Sequence, residues 1–456
     1  MSVTCPHPEL DATAAGLFPL PLTTFESHLY HDTSRAYPLM CDMEVRLYGR
    51  IDRRGFEAGI RALLERSPLC RCVIRRSWWG GLAWAPVDSE VFVDWQTTGR
   101  AVEKHYNEQV DLKAEPSLRV YVREGDEQSS VLFHFHHLVS DGIGGLHLIE
   151  DFLAGYAIEM SGPSAAVPRD VDIQRLRYRE GNILRGVGDV PKFLYQLCKY
   201  LSRLPKALVT RKKLARPSAG RPVFIDLPHE VLENLRSIAQ EANVPLNDLL
   251  LRDMFVTVCH WNRDRQPSRR RDCVRIIMPQ SLRTPEDRRA PSANITSFAA
   301  LTRTSREIQD DEWLLNSIRT ETAEVRSELL TRHYLAGLWL LRKSGLLAFA
   351  LRLPLCSSTL VLSNLSTPTR RFIGRFTAAK EGLQVGNLVL DRIVAVPYVR
   401  PHTHAVFVAI VNRHRLSICA RFDRHYLSEA EGKELLQAYV DRLIRSATLV
   451  HVGGGP

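Results

Sequence analysis

The stretch that decides the fold of this chain is HHLVSDG, from His136 to Gly142. It follows the alternating segment VLFHF at 131–135, which predicts a strand, and precedes GLHLIEDFL at 145–153, which predicts a helix. Two adjacent histidines therefore stand where a strand ends, with a tight turn directly behind them. An imidazole has an unperturbed pKa of about 6.5, which suits general acid–base chemistry at neutral pH.

The order of residues in this stretch resembles the HHxxxDG signature of the chloramphenicol-acetyltransferase-like superfamily. Its members include peptide-synthetase condensation domains, polyketide-associated acyltransferases, alcohol acetyltransferases and wax-ester synthases. The resemblance implies an α/β (α+β) fold of two such lobes, which form a V-shaped pseudo-dimer with the active site in the cleft. It also implies an acyltransferase that moves an acyl group from an acyl-thioester to a hydroxyl or amine acceptor, in lipid or natural-product biosynthesis.

The same resemblance assigns the catalytic residues of the motif. His137 is the general base that removes the acceptor's proton, and no covalent acyl-enzyme is implied. His136 is expected to serve structure more than chemistry, because neighbouring strand residues point to opposite faces. Asp141 is expected to fix geometry, since a buried carboxylate needs a partner. The matching position for a salt bridge to Asp141 is Arg283, the last residue of IIMPQSLR.

Each role has a structural alternative that the sequence leaves open. The histidines can be strand-end residues that make local hydrogen bonds, and Arg283 can be one more solvated arginine in an Arg-rich region. His134, His136 and His137 also raise the question of a metal cluster. Their spacing falls short of the H-x-H-x-D-H arrangement of metallohydrolases, so we expect no metal here. Gly142 is expected to permit the sharp turn through backbone conformations that are closed to other residues.

Three weaker matches name candidate contacts to the substrate or the oxyanion. Asn247 lies in VPLNDLLL, Ser363 and Asn364 end the apolar segment LVLSN, and Asn294 lies in SANITSF. These segments resemble the Asn-Asp, Ser-Asn and donor-channel segments of the superfamily. Asn247 can equally be a helix N-cap, and Asn364 can be a turn residue. The first two resemblances favour an alcohol acceptor, and the absence of a DFGWG segment argues against the plant branch.

The length of 456 residues predicts two halves rather than one compact core. Contents of 45% hydrophobic and 25% charged residues are ordinary for a globular protein. We predict an N-terminal lobe at 1–180, a basic crossover linker at 181–220 and a C-terminal lobe at 221–456. The linker is expected because Pro and Gly recur there, before a basic amphipathic stretch at 191–216.

The formal net charge of +10 fits anionic partners. We expect no tightly bound cofactor; the resemblance implies coenzyme A or a phosphopantetheine thioester as co-substrate, delivered as acyl-CoA or on an acyl-carrier protein. Basic segments at 263–275 and 192–216 are candidates for contacting its phosphates, although solvated loop charge is the alternative. Nucleic-acid binding is not expected, because no stacking-aromatic or recognition-helix pattern accompanies the charge.

Nine scattered cysteines predict no disulfide framework, which favours a reducing cytoplasm. The first 18 residues do not resemble a secretory signal, and charges interrupt the apolar runs. The basic amphipathic stretch, together with 335–353, predicts peripheral contact with a membrane surface. A second interpretation is a non-catalytic condensation-fold protein that binds a carrier protein or other partners. The intact motif argues against it.

Overall fold

The computed structural model describes residues 2–4, 16–78, 80–97, 106, 108–181, 183, 189–210, 218–266, 273–326, 329–353, 356, 358–372, 374–379 and 382–448. Contacts between residues divide the chain into two units. Unit 1 comprises Met1–Gly181, Ser281–Thr296 and Thr367–Ala395. Unit 2 comprises Asn182–Gln280, Ser297–Ser366 and Val396–Pro456.

The strands follow one another along the chain in two series that alternate with helices. They are β1 (Ser2–Thr4), β2 (Leu20–Pro21), β3 (Met40–Tyr48), β4 (Cys72–Arg76), β5 (Leu82–Pro86), β6 (Phe92–Gln96), β7 (Leu118–Arg123), β8 (Gln128–His136), β9 (Val223–Leu227), β10 (Cys273–Ser281), β11 (Thr296–Thr304), β12 (Leu360–Asn364), β13 (Ala378–Ala379), β14 (Gly382–Val385), β15 (Leu388–Val396), β16 (Ala405–Asn412) and β17 (Arg415–Phe422).

The described helices range from four to 20 residues in length. They are α1 (Thr24–Asp32), α2 (Arg53–Arg66), α3 (Gly142–Ser161), α4 (Asp189–Ser202), α5 (His229–Glu241), α6 (Leu246–Arg265), α7 (Ser305–Ile308), α8 (Asp311–Arg326), α9 (Leu329–Lys343), α10 (Leu347–Arg352) and α11 (Glu429–Thr448). Short 3-10 turns lie at Pro68–Arg71, Pro163–Ala165, Ile173–Tyr178, Pro285–Arg289 and Pro368–Arg371.

Unit 1 is built on an eight-stranded sheet of order β1-β6-β7-β8-β3-β15-β14-β13, and a small sheet β2-β5-β4. The central strand β8 pairs antiparallel with β7 on one side and with β3 on the other. Its residues from Val131 to His136 are buried, because both edges and both faces of this strand are covered. The strand that carries the first histidine is therefore held at the centre of the sheet.

Helix α3 leaves the motif and packs closely on α2, and glycines permit this approach. A Cβ at Gly59 would lie 2.7 Å from the Phe152 ring, and one at Gly155 would lie 2.6 Å from the Ala62 Cβ. Phe152 in turn meets Phe133 of β8 edge to face, with 5.3 Å between ring centroids. This packing fixes the direction of α3 relative to the strand before it.

Unit 2 contains a six-stranded mixed sheet of order β11-β10-β12-β16-β17-β9. Strands β10, β12 and β16 run parallel, whereas β16, β17 and β9 run antiparallel. Helices α5, α6 and α11 pack together, and α11 and α5 also contact β17. The core between these helices and the sheet is apolar and includes Leu235, Phe255, Leu362, Phe407 and Tyr439.

The α/β class predicted from the sequence is confirmed by these mixed sheets and helices. The division at 180 and 220 stays a prediction about domains. The structure adds a feature that this division does not include: residues 281–296 and 367–395 also belong to unit 1. Segment 367–395 contains strands that extend the sheet of that unit, and segment 281–296 contacts the HHLVSDG turn. Within the described residues, no helix combines the length and the apolar character needed to cross a bilayer.

Candidate active site

The motif lies in unit 1 at the junction of β8 and α3. His136 is the last residue of β8 and pairs with Met40 of β3. Its backbone N–H donates to the Ser117 carbonyl at 3.0 Å, and its carbonyl accepts from Val139 at 2.9 Å. The chain therefore turns within five residues from the sheet into the helix, as the sequence predicts.

His136 is completely buried, and both ring nitrogens have partners. Nδ1 accepts the backbone N–H of Leu138 at 3.1 Å, so the ring proton lies on Nε2. Nε2 donates to the Thr33 hydroxyl at 2.9 Å, and that hydroxyl donates to the Leu29 carbonyl. Burial, with His137 and His134 nearby, lowers the pKa of His136 to about 3. A neutral, saturated imidazole shapes the turn and has no free nitrogen for a substrate.

His137 is half-buried, and its backbone is fixed on two sides. Its N–H donates to the Leu39 carbonyl at 3.0 Å, and its carbonyl accepts from the Asn294 side chain at 2.5 Å. Leu39 is a buried leucine with a φ of 48°, a left-handed conformation that costs a non-glycine residue about 1–3 kcal/mol. Sequence patterns do not predict this strained conformation, since leucine rarely adopts it.

Asp141 caps α3 and pairs with Arg283, the arginine matched by the motif. Its Oδ1 accepts the Gly144 N–H at 2.8 Å, and its Oδ2 accepts from Arg283 Nη1 at 2.7 Å and from the Ile295 N–H at 2.9 Å. Burial alone would raise the pKa of Asp141, but Arg283 and the two backbone donors outweigh it and lower that pKa. An ionised carboxylate with three donors holds geometry and does not transfer protons.

Gly142 requires a correction, because it is the first residue of α3 and its φ is not positive. The need for glycine falls instead on Gly144 and Gly145. A Cβ at Gly144 would lie 2.2 Å from the Ser140 Oγ and 2.9 Å from the Ala293 carbonyl oxygen. One at Gly145 would lie 2.7 Å from the Met43 Sδ. Close packing of the first helical turn, rather than an unusual φ, explains these glycines.

Asn294 also changes its expected role. It is buried, and its amide nitrogen donates to the carbonyls of His137 and Leu138 at 2.5 and 2.7 Å. It therefore holds the turn and is not placed as a substrate contact. The neighbouring Ser292 donates to Ser140 Oγ at 2.7 Å. The segment 281–296 therefore packs against the motif and makes hydrogen bonds to it. Thr33, Leu39 and Ser292 are the positioning residues that the sequence did not indicate.

Unit 2 contains the other predicted contacts. Ser363 and Asn364 are half-buried at the end of β12, and Asn364 Oδ1 accepts the Ser366 N–H at 2.7 Å. This is the turn-residue alternative for Asn364. Asn247 is not the N-cap, because Pro245 holds that position; its amide lies 3.2 Å from the Met278 Sδ. The roles of Ser363, Asn364 and Asn247 towards a substrate stay predictions.

A layer of buried charges lies on α3 behind the motif. Glu150 pairs with Arg375 at 2.7 Å and Asp151 with Arg169 at 3.2 Å. Burial raises the pKa of Glu150 to about 7 and that of Asp151 to about 6, despite the arginines. Burial and the nearby arginines hold the pKa of His147 well below its ordinary value. These buried charges therefore lie on the same helix that begins at the motif.

Parts of the two basic segments lie outside the described residues. These are Arg269, Arg270 and Arg271 in the first segment, and Arg211, Lys212 and Lys213 in the second. His134, considered above for a metal cluster, is buried, with Nδ1 2.5 Å from Asp42 Oδ1 and Nε2 3.2 Å from the Glu108 carbonyl. Nδ1 therefore contacts β3, and Nε2 contacts the segment that precedes β7.

Known proteins resemble this chain in fold more than in sequence. No family model matches the chain. An uncharacterized protein of Mycobacterium tuberculosis, Rv2305 in strain H37Rv, is 25% identical over 287 residues, which is 59% of this chain. The match spans 63% of the length of that relative. This relative is itself uncharacterized, so the match assigns no activity to the chain.

Solved structures match almost the whole chain. The epimerization domain from the third module of tyrocidine synthetase B has a TM-score of 0.68 at 18% identity, covering 94% of this chain and 97% of that one. TRI3 trichothecene 15-O-acetyltransferase from Fusarium sporotrichioides has a TM-score of 0.69 at 11% identity, covering 93% and 94%. The starter condensation domain of rhizomide synthetase RzmA, in complex with C8-CoA and Leu-SNAC, has a TM-score of 0.69 at 12% identity, covering 96% of both.

Identities this low show the fold and leave the reaction to the site, and the matched proteins include an epimerization domain beside transferases. The fold implied by the HHxxxDG resemblance is confirmed. The chain has the fold that these epimerization, acetyltransferase and condensation domains share.

Proposed function

We propose that this protein is an acyltransferase that moves an acyl group from an acyl-thioester to the hydroxyl or amine of an acceptor, with His137 as general base. The observation that carries this proposal is the difference in burial and hydrogen bonding between the residues of the motif. His136 and Asp141 are buried and saturated, whereas the His137 ring is half-buried on a backbone held by Leu39 and Asn294. The rest of the motif thus fixes the position of the His137 imidazole, the group suited to general-base chemistry.

The step that follows is a direct transfer. A ring nitrogen of His137 accepts the proton of the acceptor O–H or N–H while the acceptor atom attacks the thioester carbonyl carbon. The C–S bond then breaks, and the departing thiolate takes the proton back from His137. Histidine returns to its neutral state, and acyl group, proton and thiol balance without an acyl-enzyme.

The donor is proposed to be acyl-CoA or an acyl group on the phosphopantetheine arm of a carrier protein. The net charge of +10 favours both, since coenzyme A phosphates and acidic carriers are anionic. The acceptor class we favour is an alcohol. We place the reaction in a reducing cytoplasm, where buried free cysteines such as Cys70 and Cys72 persist as thiols.

The test is thiol release from a panel of acyl-CoAs in the presence of pooled alcohols and amines. We expect acceptor-dependent release that falls about 10²–10⁴-fold in His137→Ala. His260→Ala, which changes an exposed histidine of α6, is the matched control and should keep full activity. Both variants are checked for unchanged unfolding curves. Equal activity of His137→Ala and wild type would refute the role of His137.

If no acyl-CoA gives acceptor-dependent thiol release, the same assay is repeated with acyl-carrier proteins as donors. Turnover there identifies the donor. No turnover with either donor, combined with carrier binding that His137→Ala leaves unchanged, would overturn the enzyme proposal. It would favour the non-catalytic, carrier-binding interpretation.

We also propose that unit 2 contacts an anionic membrane surface. Helix α4 packs on α9 through Phe193 and His333, with ring centroids 6.2 Å apart. Leu194, Leu197 and Leu201 recur on α4 at helical spacing and are exposed, and Leu346, Phe349 and Leu353 do the same along α10. Basic residues accompany both stripes: Lys199, Lys343 and Arg352. Apolar stripes beside cationic groups fit the interface of anionic lipids.

Co-sedimentation with phosphatidylglycerol vesicles tests this contact, with phosphatidylcholine vesicles for comparison. We expect the anionic vesicles to retain the protein, and Leu201→Glu and Phe349→Glu to reduce retention. Tyr178→Glu, which alters an exposed aromatic of unit 1, should not change it. Retention that is equal for all four proteins would refute the proposed surface.

A further inference from the structure

Three exposed side chains of unit 2 bring nitrogen and oxygen ligands together. His229 and Glu233 lie on α5, and His414 lies in the turn between β16 and β17. Their candidate ligand atoms are all within 4.8 Å of one another. His229 and Glu233 are four residues apart on one helix, so they share a face.

The register of the sheet places the two histidines beside each other. Strands β9 and β17 pair Leu227 with Leu416. His229 follows Leu227 by two residues, and His414 precedes Leu416 by two. The β16–β17 hairpin closes with the pair Asn412 and Arg415, so His414 sits in a tight turn. Rigid elements rather than a long loop therefore hold this cluster.

A hydrogen bond also fixes which nitrogen of His229 can bind an ion. Its Nδ1 lies 3.2 Å from the His414 carbonyl oxygen. A carbonyl only accepts, so Nδ1 carries the proton and the lone pair of the neutral ring lies on Nε2. A ring N–H that donates to a backbone carbonyl is the arrangement that orients metal-binding histidines. The two rings stand edge to face, with centroids 5.0 Å apart.

We propose that His229, Glu233 and His414 bind one zinc ion, with water completing the coordination. Two imidazoles and one carboxylate are ligands that zinc accepts. A tetrahedral site would need ligand atoms about 3.3 Å apart, which exposed side chains reach by small rotations. Glu233 Oε1 accepts from Arg236 at 2.7 Å, so Oε2 is the oxygen proposed to bind.

The bound ion would tie the first turn of α5 to the hairpin. Because it binds the folded form, it would stabilise unit 2 by mass action. The proposal concerns a site in unit 2 alone and does not depend on acyl transfer.

Isothermal titration of the untagged full chain with zinc chloride, after treatment with a chelator, tests the site. We expect one zinc per chain, and a loss of affinity of at least about tenfold in His229→Ala and in His414→Ala. His260→Ala and Cys198→Ser remove an exposed histidine and an exposed thiol of the same unit and should bind as wild type does. Cobalt absorption reports whether nitrogen and oxygen ligands surround the ion.

The result that overturns the proposal is no saturable zinc binding, or binding that His229→Ala and His414→Ala both leave unchanged. Circular dichroism checks that each variant is folded. Glu233→Gln keeps the size of the side chain and weakens the ligand, so it tests the site where a histidine variant fails to fold. Wild-type affinity in folded Glu233→Gln would remove the carboxylate from the site.

Discussion

Two carboxyl groups on the same helix, Asp141 at the start of α3 and Glu150 two turns later, differ in how they are held. Asp141 has two backbone donors and Arg283, and its pKa is lowered. Glu150 has the Arg375 ion pair and no backbone donor among the contacts described for it, and burial raises its pKa to about 7. At Glu150 the nearby arginines do not offset burial, whereas at Asp141 an arginine together with two backbone N–H groups does. Asp141 is therefore charged at neutral pH, whereas the carboxyl group of Glu150 titrates near pH 7.

The largest expected effect comes from Asp141→Ala. It leaves the Arg283 side chain, which is only 10% exposed, without its carboxylate and removes the cap of α3, so we expect a loss of about 3–5 kcal/mol in the free energy of unfolding. Urea unfolding measures it. Asp170→Ala breaks the exposed pair with Arg289 and should cost less than about 1 kcal/mol. A stable, well-folded but inactive Asp141→Ala would show that the carboxylate acts in chemistry rather than in structure.

Gly144→Ala tests the packing of the same turn. The added Cβ would lie 2.2 Å from Ser140 Oγ, so we expect a loss of about 3 kcal/mol in the free energy of unfolding. In Gly337→Ala the new Cβ meets no atom within 4 Å, and the helix α9 should gain about 1 kcal/mol. Thermal unfolding compares the two. Equal stability of both variants would show that the turn relaxes around the methyl group.

The pH dependence of stability tests the Glu150 side of the comparison. A carboxyl whose pKa is raised on folding stabilises the protein below its unfolded pKa, and this contribution is lost as pH rises through the folded value of about 7. Wild type should therefore lose about 2 kcal/mol relative to Glu150→Gln between about pH 5 and pH 7. Urea unfolding at each pH measures the difference. A difference that stays constant over this range would mean that Arg375 keeps Glu150 ionised throughout.

The smallest effect is expected from Thr33→Val. It removes the hydroxyl that accepts from His136 Nε2 while keeping the shape of the side chain, so about 1 kcal/mol should be lost from the free energy of unfolding. The KM for the acceptor should hardly change, since Thr33 touches no substrate in the proposed reaction. Kinetics and urea unfolding are measured together. A loss of activity without a loss of stability would give the Thr33–His136 pair a part in the chemistry.

The sequence predicted the elements around the motif because strand and helix periodicity are local. It also indicated Arg283 as the partner of Asp141, across 142 residues, through a resemblance rather than through spacing. It could not indicate Leu39, Thr33 or the true role of Asn294, because backbone strain and long-range hydrogen bonds leave no pattern in neighbouring residues. The need for glycine at Gly144 could not be predicted for the same reason, because it comes from packing against Ser140 and Ala293.

Because residues 281–296 belong to unit 1, this unit cannot be complete early in the synthesis of the nascent chain. At about 5–20 residues per second, the ribosome adds Arg283 roughly 7–30 s after Asp141. Until then the HHLVSDG turn lacks Arg283 and the other contacts from segment 281–296. The eight-stranded sheet lacks the strands of segment 367–395 until later still. We therefore expect residues 1–181 to complete the fold of unit 1 only after residues 281–296 and 367–395 have been synthesised. Fragments cut at that boundary would keep Leu39 and Thr33 but would lack Asn294 and Arg283, which hold the histidine turn and Asp141.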